Sequence, residues 1–165
     1  MLAPRFGRSA TVHGRAAARR SATVNEARIP TVVLADAHAR YRGGLVRAVS
    51  RHPGLDLIGV ADRGPVAVSM ILSERPDLAL LDARLPGLDG FAVCEYLSRD
   101  RPDLPTRLIL LVAVLDRAQW ARADSAGAYC CFGKELSRTA ICEALLAAAR
   151  GEEFVSDGGA GCSAS

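Results

Sequence analysis

Between residues 31 and 150 the chain repeats one pattern five times: a short apolar run, then a stretch with helical spacing. The apolar runs fall at 31–35, 55–61, 78–82, 107–114 and 129–132, and the helical stretches at 39–51, 65–74, 91–99, 116–125 and 136–150. Breakers such as His52-Pro53-Gly54 and Arg75-Pro76 separate them. The runs are continuous rather than alternating, which predicts parallel strands buried on both faces. Five βα repeats therefore predict an α/β fold, a doubly wound five-stranded parallel sheet.

Half of the chain is hydrophobic and 24% is charged, enough apolar content for a core. The apolar run 108–115 is far shorter than the roughly 18 residues a membrane helix needs, so no membrane partner and a cytoplasmic location are expected. Charge is unevenly spread. Residues 1–30 carry six arginines, including Arg19 and Arg20, against the single acid Glu26; the rest holds 15 basic and 17 acidic side chains. The expected organisation is a disordered basic arm at 1–29, one folded domain at 30–156 and a disordered Gly/Ser-rich tail at 157–165. Five cysteines without a C-x-x-C pair, and no apolar signal segment, predict reduced thiols.

In a doubly wound sheet, ligands meet the carboxyl ends of the strands. Asp36 and Asp82 end the first and third strands, and Lys134 lies just past the fifth. A lone strand-end aspartate is often only a helix cap. Three charged groups at three strand ends on one rim point instead to a site.

The segments VVLADAH (32–38), DLALLDARLPGLDG (77–90) and AGAYCCFGKELS (126–137) resemble the three signatures of the response-regulator receiver domain. The resemblance covers residues 29–156 and is greatest to receivers that precede a LuxR-type helix-turn-helix. It implies a flavodoxin-like fold with strand order 2-1-3-4-5 and a role in two-component phosphorelay signalling and transcription regulation. Asp82 would be the phospho-acceptor, Lys134 the phosphate-binding residue, and Asp36, Asp82 and the backbone carbonyl of Arg84 the Mg²⁺ ligands. Pro86 and Gly87 would shape the adjoining loop, and a histidine kinase would supply the phosphoryl group.

Three positions depart from that pattern. Ala37 stands where the family has a second, metal-binding acid; Val112 replaces a Ser or Thr that bonds the phosphoryl group; Cys131 replaces the aromatic switch residue. His38 suits Mg²⁺ poorly and is expected at the surface or as a cap. The expectation is an atypical stand-alone receiver with weak or absent Mg²⁺ binding, which signals through a protein effector or as a homodimer. The alternative is a phosphorylation-independent module binding a protein or a small-molecule ligand at a rim remodelled by Ala37, Val112 and Cys131.

An enzyme is not expected. An aspartyl-phosphate phosphatase would want an acid at Arg84, and no phosphate-binding loop, nucleophile elbow or zinc-protease motif occurs. Nine residues follow Ser156, too few for a helix-turn-helix, so sequence-specific DNA binding by this chain is not expected. Trp120 could anchor a partner or cover the core, and Cys130-Cys131 reads as small core residues rather than a redox pair.

Overall fold

The computed structural model describes residues 28–154. Most of the arm and all of the tail expected from the sequence lie outside the described residues. The elements alternate as β1 (Thr31–Ala35), α1 (Ala39–Arg51), β2 (Asp56–Ala61), α2 (Gly64–Glu74), β3 (Leu78–Asp82), α3 (Gly90–Asp100), β4 (Arg107–Val112), α4 (Arg117–Ser125), β5 (Cys130–Gly133) and α5 (Arg138–Arg150). All strand pairs are parallel and the order is β2-β1-β3-β4-β5, as expected.

Successive residues of each central strand point to opposite faces, and both faces are covered. Val33, Leu81, Leu110 and Cys131 pack with Ile71 of α2, Phe91 and Leu97 of α3 and Ala123 of α4. Val32, Leu34, Leu80, Leu111 and Phe132 pack with Leu45 and Val49 of α1 and Ile141 and Leu145 of α5. The edge strand β2 has one neighbour only, and there Ile58 and Val60 are exposed.

β4 is shorter than expected and ends at Val112 rather than at 114. Its pairing with β3 stops at Leu111 and with β5 at Val112, so Ala113 and Val114 have no strand to bond to; Val114 is 69% exposed. Four helices begin on side-chain caps, His38, Asp89, Asp116 and Ser137, each accepting from a backbone N–H one turn on. His38 is thus the cap the sequence suggested.

The far end of α5 is gripped from the opposite rim. Arg107, at the start of β4, donates through Nη1 to the carbonyls of Ala148 and Ala149 at 2.8 and 2.7 Å. Phe154 then packs edge-on against Phe132, ring centres 5.9 Å apart.

Cys94, Cys131 and Cys142 are free and buried. No described helix is long and apolar enough to cross a membrane.

Candidate functional site

The parallel sheet brings the carboxyl ends of β1, β3 and β5 to one rim, and all three sequence-predicted charges meet there. Asp36 follows β1 and is held by its N–H to the Ala61 carbonyl at 3.2 Å. Asp82 is the last residue of β3. Lys134 follows β5, anchored by its N–H to the Val112 carbonyl at 2.8 Å. Its ammonium donates to Asp36 Oδ2 at 2.7 Å and lies 3.1 Å from Asp82 Oδ2. Asp36 is wholly buried and Asp82 nearly so, which makes the lysine their shared countercharge.

Backbone donors occupy the remaining carboxylate oxygens. Asp36 Oδ1 accepts from the His38 N–H at 2.7 Å, and Asp82 Oδ1 from the Arg84 N–H at 3.1 Å. The loop after β3 turns through Gly87 at φ +78°, a left-handed conformation that favours glycine. At the start of α3, a Cβ on Gly90 would collide with the Asp82 carbonyl, so only glycine lets the helix begin so close to the aspartate.

Two residues not singled out from the sequence complete the rim. Long side chains in the first turn of a helix lean back toward its N-terminus. From α1, Arg42 Nη1 reaches the carbonyl of Asp36 at 2.7 Å and that of Ala37 at 3.4 Å. The Tyr41 ring centre lies 4.7 Å from the Lys134 ammonium. Burial first, and then the Asp36 charge, push the Tyr41 hydroxyl up to about 12. The usable signal was their place one turn beyond the His38 cap.

The three departing positions are not brought together. Ala37 is exposed beside the Arg42 guanidinium. Val112 borders an open groove with Arg84, Asp89, Phe91, Asp116 and Arg122. Cys131 borders a cavity of about 140 Å³ together with Trp120, Asp124 and Tyr129. Its thiol is pushed up to about 12, chiefly by burial, which leaves little thiolate for redox chemistry at neutral pH.

The family model described as the response regulator receiver domain matches residues 32–146. The chain belongs to that family. It is 38% identical over 124 residues to the transcriptional regulatory protein NarL of Mycobacterium tuberculosis, covering 75% of this chain and 56% of that one. It is 29% identical over 121 residues to LiaR of Bacillus subtilis, covering 73% and 56%. The chain thus spans about half the length of these curated relatives. Among solved structures, the signal receiver domain of the Mycobacterium tuberculosis NarL superposes with a TM-score of 0.70 at 37% identity, covering 74% of this chain and 98% of that one.

Receiver domains are phosphorylated by histidine kinases and bind Mg²⁺ at the phosphorylation site. Mg²⁺ asks for a near-octahedral shell of oxygens at about 2.0–2.1 Å. Of the donors that the resemblance implies, Asp36 and Asp82 meet at this rim and both already lie against Lys134; the Ala37 side chain adds no oxygen. Among the described residues no group of three or more His, Cys, Asp and Glu side chains is placed to share an ion.

Proposed function

We propose that this receiver accepts a phosphoryl group on Asp82 only slowly and with weak Mg²⁺ dependence, and that it signals mainly by binding a protein partner. The observation that carries the reading is the Lys134 ammonium shared between Asp36 and Asp82, with Ala37 and Val112 where two further polar groups would belong. A carboxylate oxygen of Asp82 attacks phosphorus; the bond to the donor's histidine nitrogen, or to acetate, breaks, and the leaving group takes the electron pair. Lys134 stands ready to offset the charge on the phosphoryl oxygens. The Arg42 guanidinium adds fixed positive charge at the loop carbonyls.

Val112 supplies no hydroxyl to the product. A hydrogen bond to a charged group contributes roughly 1.5–3 kcal/mol, whereas swinging a two-state equilibrium from 1:99 to 99:1 takes about 5.5 kcal/mol. Acceptance at Asp82 is thereby uncoupled from a full conformational response. The partners are a histidine kinase as donor and a protein effector or a second copy as target, with no catalytic turnover of its own. A small-molecule pocket formed jointly by Ala37, Val112 and Cys131 has no geometric support, because the three face different spaces.

The test is incubation with acetyl phosphate, with and without Mg²⁺, followed by a gel that retards phosphoproteins. Slow, substoichiometric labelling that Asp82→Asn abolishes is expected. Rapid, stoichiometric, Mg²⁺-dependent labelling overturns the weakened site, and labelling that survives Asp82→Asn overturns the acceptor.

A further inference from the structure

Lys134 is the only lysine in a chain with 20 arginines. An ammonium is a compact point charge with three donors on a flexible stem, and nothing in that stem fixes its direction. One donor goes to Asp36 Oδ2, and Asp82 Oδ2 lies 3.1 Å away. The face of Tyr41 covers the ammonium at 4.7 Å from the ring centre, well inside the range of cation–π attraction.

The rest of Tyr41 shows that the ring face, not the hydroxyl, accounts for its place. Its Oη is the only buried side-chain N or O atom among the described residues without a hydrogen-bond partner. Buried tyrosine hydroxyls normally find one. The ring is also held from α5: the Arg138 guanidinium lies 5.6 Å from its centre. A Cβ on Gly44 would meet that guanidinium, so a larger residue there would make the arginine side chain shift. One aromatic ring on α1 therefore lies within reach of two cations, one from the β5–α5 loop and one from α5.

We propose that Tyr41 is a positioning residue, an aromatic clamp that holds the Lys134 ammonium against Asp36 and Asp82. It acts through the lysine and touches no reacting atom. The clamp lies on the α1–α5 side, whereas Cys131 of β5 packs on the other face of the sheet. For its consequence in phosphoryl acceptance the inference rests on the reading of Asp82 above, and its test separates the two.

A single lysine gives a single signal when lysine alone is labelled with ¹³C and ¹⁵N. In the unloaded wild-type protein, the Lys134 ε-methylene protons are expected upfield of an exposed lysine, with cross-peaks to the Tyr41 ring. Tyr41→Phe keeps the ring and should keep both features; Tyr41→Leu should lose both while its thermal transition stays cooperative. An unshifted wild-type signal without ring cross-peaks overturns the clamp, and so does loss of the shift in Tyr41→Phe. The wild-type spectrum decides the placement even if Tyr41→Leu does not fold. With acetyl phosphate, Tyr41→Leu should slow labelling of Asp82 by about 2- to 30-fold, the range set by the strength of such contacts, and Tyr41→Phe by less than about twofold. Equal rates in all three overturn the positioning role. Absence of labelling in every variant, with the upfield shift intact, overturns Asp82 as acceptor and upholds the clamp.

Discussion

Removing the ammonium of Lys134 while keeping its length, as in Lys134→Met, leaves Asp36 and Asp82 facing each other without a countercharge. Asp36 is 0% exposed and Asp82 5%, and both have an oxygen within 3.1 Å of the nitrogen that would be lost. The lysine side chain is itself only 20% exposed, so water replaces little of the lost charge. Breaking a buried pair by deleting one partner costs about 3–5 kcal/mol, because the surviving charge is left uncompensated. For a domain of this size that corresponds to a fall in melting temperature of about 10–20 °C. Thermal unfolding followed by circular dichroism measures it. If the cause is uncompensated charge, Lys134→Met combined with Asp36→Asn should recover at least about 1 kcal/mol, since it removes one of two like charges. A Lys134→Met protein as stable as the wild type would refute the reasoning, and an unrecovered double variant would place the loss in packing.

Ala37→Asp restores the missing oxygen donor at an exposed position beside Arg42. It should tighten Mg²⁺ binding by at least about 10–100-fold in a calorimetric titration, and equal affinity in the wild type would contradict the weak site. Val112→Thr places a hydroxyl in a buried position. It should cost roughly 1–3 kcal/mol of unloaded stability and enlarge the thermal shift produced by beryllofluoride; an unchanged shift would argue against Val112 as a cause of weak switching. The Tyr41 hydroxyl ionises near 10 in the unfolded chain and only at about 12 in the folded one. The unfolded state therefore loses its proton first, and stability should fall as pH rises from 10 toward 12. Tyr41→Phe should flatten that fall, and identical alkaline unfolding curves would refute it.

Both buried faces and the meeting of Asp36, Asp82 and Lys134 were legible in the sequence, because continuous apolar runs and strand-end charges are one-dimensional signals; the strand order followed only from the resemblance to receiver domains. The end of β4 was not: Ala113 and Val114 are as apolar as a strand, and only the exhaustion of partners on β3 and β5 stops the ladder. Tyr41 and Arg42 were missed for a different reason. They reach the rim through the backward lean of helical side chains, which depends on how α1 sits over the sheet. Ala37, Val112 and Cys131 could be recognised one by one as departures, yet their separation into three different spaces needed the fold.

Arg107 holds the final carbonyls of α5 at the rim opposite the aspartates, while the helix begins on Ser137, three residues after Lys134. Thirteen residues of α-helix measure about 20 Å and bend little over that length. α5 is accordingly a rod fixed along its buried face by the core and at its far end by the arginine grip. The helix that follows Lys134 is therefore kept in place partly by Arg107, at the other end of the sheet.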